Sequence, residues 1–216
     1  MEIDYEPLLL GNPAPEFTAN TTQGEVSLSD YKGKWLILFS HPADFTPVCT
    51  TEFIAFSGIF DELQKRNTEL LGLSIDSLYS HIAWTRNIKE KTGVEIPFPI
   101  IDDLSMDIAI KYNMIHPSLG HTSTVRSVFF IDPDGILRAM IYYPMPVGRN
   151  MTEIVRIIDA LQTSDQFGVA TPANWKPGDK VIVPPADTVE KAEANFNNKD
   201  YDVTDWYLCK RDIVKK

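Results

Sequence analysis

Two continuous apolar runs, each followed by apolar residues at helical spacing, dominate the first half of the chain. Residues 35–39 and 69–75 form these runs and predict strands that are buried on both faces. The helical spacing, over residues 53–63 and from 79 to about 91, predicts a helix after each strand. A Thr-Gly pair ends the second helix. Such an alternation is typical of a sheet that contains parallel strands.

The pattern changes in the second half of the chain. Residues 97–101 predict a short strand, placed at a sheet edge because two prolines lie in it. Residues 105–112 predict one or two helical turns, and residues 152–161 predict a longer helix. Two β-prone runs, 127–131 and 136–143, flank the turn Asp-Pro-Asp-Gly and predict a hairpin. We therefore expect an α/β fold with a thioredoxin-like central mixed sheet flanked by helices.

The two ends of the chain lack these patterns. We predict an irregular lead-in for residues 1–32, with turns at Gly-Asn-Pro and Gln-Gly. The carboxyl-terminal residues are rich in turn formers, with a short helix predicted at 188–196 and an aromatic tail at 201–208. They hold too few aliphatic residues to bury much surface alone. We predict a main domain over residues 1–166 and a C-terminal arm over residues 167–216, which packs on the main domain or on a partner subunit.

Composition and charge narrow the class of protein. The chain has 216 residues, of which 44% are hydrophobic and 23% are charged, as in ordinary globular proteins. A net charge of -10 disfavours a nucleic-acid surface. No apolar run approaches the length of a membrane helix, and the acidic start of the chain is unlike a secretory signal. Because the chain has only two cysteines, we expect a reducing compartment, the cytoplasm. From the charge and the short apolar runs, we expect that the protein binds neither nucleic acid nor membranes.

The stretch richest in chemistry runs from His41 to Glu52, where the first predicted strand ends and a helix begins. Thr46 is a good N-cap residue, and Pro47 suits the first helical position. Cys49 then lies in the first turn, where free N–H groups and the helix dipole favour an anion and hence a nucleophilic thiolate. From these residues alone, a buried structural cysteine is an equal alternative.

This stretch resembles the active site of peroxiredoxins. Pro42-x-x-x-Thr46-x-x-Cys49 matches the family motif, and the wider run FSHPADFTPVCTTE is similar to that of the one-cysteine subfamily. The resemblance spans nearly the whole chain, and the tail is similar to that of archaeal members. It continues through Thr124–Ile131, Tyr143-Pro144, Gly148-Arg149-Asn150 and Thr171–Trp175.

The resemblance implies a role for four residues. Cys49 is the peroxidatic cysteine, which attacks a peroxide oxygen and becomes a sulfenic acid. Arg126 lies beside its sulfur, where a guanidinium stabilises the thiolate and the charge on the leaving oxygen. The Thr46 hydroxyl holds the peroxide together with Arg126, and Pro42 shields the pocket from water. Without the motif, we would interpret Arg126 as an ordinary surface charge at the edge of a strand.

Three further residues match supporting positions of the family. One-cysteine members have a histidine near the sulfur where His41 stands, but a satisfied structural histidine is an equal alternative. Glu52 and Arg149 match a network of ion pairs around the arginine, with an inconsequential surface salt bridge as the alternative. The other histidines are scattered, with no spacing that collects a metal, and we expect neither a metal nor another cofactor.

Cys209 is the only other cysteine. A sulfenic acid must be reduced or captured by a thiol before more peroxide drives it to the sulfinic form. The neighbouring Lys210 and Arg211 favour a thiolate at Cys209. Archaeal members generally use two cysteines in this tail, whereas this chain has one. Two alternatives stay open: a disulfide between Cys209 and Cys49 of the partner subunit, or reduction by an external thiol such as thioredoxin or glutathione.

We therefore expect a thiol-specific peroxidase that reduces hydrogen peroxide and organic hydroperoxides in antioxidant defence and redox homeostasis. The resemblance implies a homodimer whose arms exchange, and its assembly into a homodecamer. Lys34 stands where some family members carry a phospholipase serine, so we expect no lipase activity there. A disulfide reductase is the rival enzyme, disfavoured because C-x-x-C is missing, and a redox sensor or chaperone is the rival class.

Overall fold

The structure, a computed structural model, describes residues 7–120 and 122–213. The chain divides into two compact units, Met1–Met151 and Thr152–Lys216. This division falls at the start of the long helix Met151–Phe167, after its first residue. The predicted boundary between a domain of residues 1–166 and an arm of residues 167–216 stays a prediction.

A mixed sheet forms the centre of the first unit. Its described strands are β1 (Thr18–Thr21), β2 (Gly24–Ser27), β3 (Trp35–Ser40), β4 (Thr68–Ser74), β5 (Ile100–Asp102), β6 (Arg126–Ile131) and β7 (Leu137–Tyr143). They are ordered β2-β1-β5-β4-β3-β6-β7. The β3–β4 and β4–β5 pairs are parallel, and the other pairs are antiparallel. All six residues of β3 are buried, as expected for a central strand. The predicted central mixed sheet and the β6–β7 hairpin are confirmed.

Helices connect the parallel strands, as predicted. These are α1 (Pro47–Gln64), between β3 and β4, and α2 (Leu78–Thr92), between β4 and β5. The unit also contains α3 (Asp107–Lys111), between β5 and β6, and a short 3-10 helix (Leu28–Tyr31), between β2 and β3. Gly93 follows α2 with φ 77, the left-handed conformation that ends many helices. The aromatic side of α1 packs on β3, with the Phe56 ring stacked 4.1 Å from that of Phe39. Within residues 7–120 and 122–213, no helix is long and apolar enough to cross a bilayer.

Two sequence predictions about this unit are wrong. Residues 18–27 are not irregular but form the β1–β2 hairpin, whose four-residue strands are mostly polar and too short to show a clear period. The strand β5 is not at an edge, because β1 pairs with its outer side through Thr21 and Ile101. The two prolines lie before the first residue of β5, where they remove no ladder hydrogen bond.

The second unit has a small core of its own. It contains α4 (Met151–Phe167), α5 (Val189–Phe196) and a three-stranded sheet in the order β8 (Val181–Ile182), β10 (Leu208–Arg211), β9 (Asp202–Asp205). Trp175 is 2% exposed and lies at the centre of an apolar cluster with Val169 and Val181. The predicted α5 is confirmed, whereas the predicted aromatic tail is the β9–β10 hairpin.

Candidate active site

The start of α1 positions Cys49 as the sequence predicts. Thr46 is the N-cap residue with extended backbone, Pro47 is the first helical residue, and Cys49 lies in the first turn. The Cys49 side chain is 0% exposed. The Thr46 hydroxyl does not cap the helix but donates to the carbonyl of Ala43 at 2.8 Å. Its oxygen therefore keeps lone pairs free to accept a hydrogen bond.

Arg126 brings a guanidinium to the sulfur. It is the first residue of β6, which runs antiparallel to β3 and therefore begins near the end of β3 and the start of α1. Its Nη1 lies 3.3 Å from Cys49 Sγ, and its Nε donates to the Met145 carbonyl at 2.8 Å. Arg126 is 3% exposed and is therefore not a surface charge. The guanidinium is fixed at both sides, which orients it before any ligand arrives.

Glu52 joins Arg126 to the second buried arginine. Its carboxylate accepts from Arg126 Nη1 at 2.7 Å and from Arg149 Nη2 at 2.7 Å and Nε at 2.9 Å. Arg149 Nη1 also donates to the carbonyls of Ser40 at 2.8 Å and Ser127 at 3.0 Å. Glu52 and Arg149 are 2% and 7% exposed. The alternative of a surface salt bridge is therefore wrong.

The charges of this cluster do not balance without the cysteine. Arg126 and Arg149 carry two positive charges and Glu52 one negative charge, which leaves one positive charge buried. Burial lowers the pKa of the Arg149 guanidinium and Glu52 opposes this effect; a guanidinium stays protonated in proteins. A thiolate at Cys49 completes the balance. Because an unpaired buried charge is costly, the cluster favours an anion at this sulfur.

His41 and Pro42 follow β3 directly, and both are buried. The His41 ring lies 4.8 Å from the Phe53 ring and 5.2 Å from the Trp84 ring, measured between centroids. Burial lowers the pKa of His41, although Asp44, whose Oδ1 lies 2.9 Å from His41 Nε2, acts in the opposite direction. This imidazole is therefore neutral at neutral pH.

Asp44 and His81 are partners of His41 that the sequence did not predict. Nδ1 of His81 lies 2.8 Å from Oδ2 of Asp44, and all three side chains are buried. Among the described residues, these three form a group whose potential metal ligands lie within 4.8 Å of one another. No local spacing signals this group, because His81 is 37 positions from Asp44 and comes from α2.

Cys209 lies in a different environment, within β10 of the second unit. It is 1% exposed, and both cysteines are free thiols. Its Sγ lies 3.3 Å from the carbonyl oxygen of Asp205 and 3.8 Å from those of Asn195 and Trp206. These oxygens are acceptors, so they suit a protonated thiol. The effect of the neighbouring Lys210 and Arg211 on Cys209 stays a prediction.

A buried cysteine at the start of a helix, at the end of a central strand and against a fixed guanidinium, defines a thiol peroxidase on a thioredoxin-like sheet. Residues 10–140 match the model of the AhpC/TSA family, and residues 160–199 match the C-terminal domain of 1-Cys peroxiredoxin. The chain belongs to the AhpC/TSA family and is a peroxiredoxin of the one-cysteine type.

Relatives support this assignment over almost the whole length. A peroxiredoxin of Aquifex aeolicus is 56% identical over 215 residues, covering 94% of this chain and 96% of the relative. An archaeal peroxiredoxin, from Methanosarcina mazei, is 51% identical over 217 residues and covers 96% and 99%.

Two solved structures share the fold. A yeast mitochondrial 1-Cys peroxiredoxin has a TM-score of 0.84 at 40% identity, covering 96% of this chain and 100% of its own. A cysteine-to-serine mutant of the peroxiredoxin 6 of Arenicola marina has a TM-score of 0.86 at 39% identity, covering 97% and 100%. The predicted thioredoxin-like fold is confirmed, and the protein is a thiol-dependent peroxidase with an antioxidant role.

Proposed function

We propose that the chain reduces hydrogen peroxide and small organic hydroperoxides through a sulfenic acid at Cys49. One observation carries the proposal: Nη1 of Arg126 lies 3.3 Å from the Cys49 sulfur, in a buried cluster with one unbalanced positive charge. The same charge that favours the thiolate also stabilises the oxygen that leaves.

The reaction is a displacement at oxygen. The Cys49 thiolate attacks the terminal oxygen of the peroxide, an S–O bond forms, and the O–O bond breaks. The electron pair of that bond goes to the leaving oxygen, which takes up a proton and departs as water or an alcohol. Arg126 and the Thr46 hydroxyl bind the peroxide, with the hydroxyl accepting its O–H. Pro42 keeps water away from the sulfur.

Glu52 and Arg149 support this geometry. Glu52 holds two guanidiniums at once, and Arg149 connects Glu52 to the carbonyl ends of β3 and β6 through Ser40 and Ser127. Both residues act on the reaction only through the position and charge of Arg126. His41 supports the site from the end of β3.

A thiol then returns the sulfenic acid to the resting state. One route is a disulfide with Cys209 of the partner subunit. The other is an external thiol of the thioredoxin or glutathione type; these two systems are named for the similar yeast enzyme. The contacts of Cys209 favour the external thiol, because its sulfur faces main-chain carbonyl oxygens and not a cation.

We propose that the working form is a cytoplasmic homodimer, in which residues 167–216 form a dimerisation arm. Large apolar side chains of the second unit support this proposal, since Val189, Phe196 and Trp206 are 78%, 55% and 44% exposed. Exposed apolar clusters of this kind mark interaction surfaces. Light scattering of the purified protein separates a monomer, which contradicts the arm's role, from a dimer and from a decamer.

Intact-mass spectrometry after one equivalent of hydrogen peroxide tests the chemistry. We expect wild type to gain one oxygen atom at Cys49 within a single rapid turnover and Cys49→Ser to consume no peroxide. Cys209→Ser is the matched control, because it removes an equally buried thiol and should oxidise at the wild-type rate. Slow oxidation of wild type would favour a redox sensor, and oxidation of Cys49→Ser would contradict the assignment.

Electrophoresis without reducing agent then separates the two routes of regeneration. A disulfide-linked dimer of peroxide-treated wild type, lost in both single-cysteine variants, supports resolution by Cys209. If wild type remains monomeric on the gel and Cys209→Ser turns over with thioredoxin or glutathione, the resolving role is excluded.

A further inference from the structure

The last residue of β3 and the second residue of β6 form a buried pair of hydroxyls. Ser40 Oγ lies 2.6 Å from Ser127 Oγ, and both residues are 0% exposed. The main-chain pairing of β3 with β6 stops one step earlier, at Phe39 and Val128. Side-chain hydroxyls therefore supply hydrogen bonds between the two strands at the end where the site lies. The proposed mechanism gives these hydroxyls no role.

The Ser40 hydroxyl contacts the main chain on both sides of Arg126. It donates to the main-chain oxygen of Val125 at 2.6 Å and accepts from the main-chain N–H of Ser127 at 3.2 Å. The same two main-chain groups also bond to each other at 3.2 Å, which makes a three-residue turn centred on Arg126. One side chain from β3 thus holds both ends of the turn that carries the guanidinium.

Hydrogen-bond accounting assigns the protons of the pair. A serine hydroxyl has one hydrogen to donate and two lone pairs to accept with. The Val125 carbonyl only accepts, so the Ser40 hydrogen must point to it. Ser127 Oγ therefore donates to Ser40 Oγ, which also accepts from the Ser127 N–H. Every bond that the Ser40 hydroxyl can make is then used, and a fully satisfied buried network is rigid.

The main-chain oxygens of the same two serines are held by Arg149. Its Nη1 donates to Ser40 O at 2.8 Å and to Ser127 O at 3.0 Å. Ser40 is therefore bonded to Arg149 through its carbonyl and to the turn at Arg126 through its hydroxyl. Mutation separates these two contacts, because a change of the side chain leaves the carbonyl in place.

The turn determines where the guanidinium lies. Nε of Arg126 donates to the Met145 carbonyl at 2.8 Å, and Nη1 lies 3.3 Å from Cys49 Sγ. A donor stabilises a leaving oxygen only from hydrogen-bond distance. A displacement of the turn by about 1 Å is enough to slow such a reaction strongly. The position of the main chain at Arg126 therefore matters as much as the presence of its charge.

We propose that Ser40 is a positioning residue of the peroxidase reaction, whose hydroxyl fixes the turn at Arg126 and so places the guanidinium at the Cys49 sulfur. The inference rests on the proposed function of Cys49. Ser40 acts on the reaction only through Arg126. Ser127 contributes less, because within the described residues its hydroxyl bonds to Ser40 and not to the turn itself.

The rate of Cys49 oxidation by hydrogen peroxide in a single turnover, compared with the rate of its alkylation by iodoacetamide, tests the inference. Alkylation needs no donor to a leaving oxygen, and unfolding of the site would expose the sulfur and speed alkylation. We expect Ser40→Ala to lower the oxidation rate roughly tenfold to a hundredfold, and the alkylation rate by about threefold at most. In an Arg126→Met background, Ser40→Ala should have no further effect on oxidation.

Ser127→Ala is the matched control, because it removes the same atom from the other, equally buried half of the pair. Its oxidation rate should stay within about threefold of wild type. A wild-type rate in Ser40→Ala, an equal loss in Ser127→Ala, or equal falls of oxidation and alkylation would overturn the inference while the function of Cys49 stands. If Cys49 of wild type does not react with peroxide at all, the proposed function fails instead.

Neutron diffraction from wild-type crystals decides the proton assignment, even where a variant fails to fold. We expect the Ser40 hydrogen on the line to the Val125 oxygen and the Ser127 hydroxyl hydrogen on the line to Ser40 Oγ. A Ser40 hydrogen directed at Ser127 Oγ would leave the Val125 end of the turn without this bond and would overturn the inference.

Discussion

Cys49 and Cys209 are equally buried, at 0% and 1% exposure, but their sulfur atoms face groups of opposite polarity. The sulfur of Cys49 meets a guanidinium at 3.3 Å, at the start of a helix. The sulfur of Cys209 meets main-chain carbonyl oxygens, the nearest at 3.3 Å. Burial alone therefore does not decide whether a cysteine reacts. The reactivity of a buried cysteine also depends on whether cations or carbonyl oxygens contact its sulfur.

Around Cys49, the largest expected effect is the loss of stability when the Glu52 carboxylate between the two arginines is removed. In Glu52→Gln two guanidiniums stay buried without a counter-charge, and we expect a loss of about 3–5 kcal/mol in the free energy of unfolding. Urea denaturation measures it. Glu69→Gln, which breaks a pair with the half-exposed Lys34, should change stability by less than about 1 kcal/mol. If both variants lost the same free energy of unfolding, the buried ion pairs would stabilise the fold no more than an exposed pair does.

Removing the cation at the sulfur should slow the reaction. We expect Arg126→Met to lower the rate of Cys49 oxidation by about 10²–10³-fold, because a fixed donor to the leaving oxygen is lost. Lys210→Met is the control on the other cysteine and should leave this rate unchanged. Single-turnover kinetics with hydrogen peroxide measures both. If the oxidation rate of Arg126→Met fell by less than about threefold, the start of α1, and not Arg126, would be the main cause of Cys49 activation.

Asp103 shows what a helix start does without a cation. Its carboxylate accepts from the N–H groups of Ile108 and Ala109 at the start of α3, yet burial outweighs these bonds and raises its pKa to about 6. The folded state then holds the proton more tightly than the unfolded chain. The stability from this group is full below about pH 4 and is lost as pH rises through about 6.

Wild type should therefore lose up to about 3 kcal/mol more than Asp103→Asn between about pH 4 and about pH 7. Urea denaturation of both proteins at the two pH values measures this difference. Parallel pH dependence of the two proteins would mean that Asp103 is ionised throughout, and that a helix start alone stabilises a buried anion.

The smallest effect is expected at the second cysteine. Cys209→Ala should lower the free energy of unfolding by about 1 kcal/mol, because a buried sulfur is replaced by a hydrogen. It should leave the first turnover with peroxide unchanged. A slower first turnover would contradict the separation of the two cysteines into a reactive and a structural environment.

Local patterns predicted the parts of the molecule that local forces determine. The period of apolar residues located β3, β4, α1 and α2, and the Thr46-Pro47 pair set the phase that puts Cys49 in the first turn. The β1–β2 hairpin was not predicted, because its strands are four residues long and largely polar. The interior place of β5 depends on that hairpin, so one missed element produced the second error.

Long-range contacts in the site were beyond any spacing rule. Glu52 and Arg149 are 97 positions apart, and only the family resemblance suggested their pairing. Asp44 carried no signal, since a loop aspartate near a helix start is usually solvated. For Cys209 the sequence shows only the neighbouring cations Lys210 and Arg211, whereas the carbonyl oxygens of Asp205 and Trp206 near its sulfur come from the folded hairpin.

The unbalanced positive charge around Glu52 bears on the working lifetime of the enzyme. In the proposed mechanism Cys49 becomes a neutral sulfenic acid, and the two arginines then again exceed their single carboxylate. A second oxidation yields a sulfinate, an anion that fits the cluster as the thiolate did. If the proposed mechanism holds, the buried ions that favour the first oxidation also favour the sulfinate, and we expect inactivation at high peroxide.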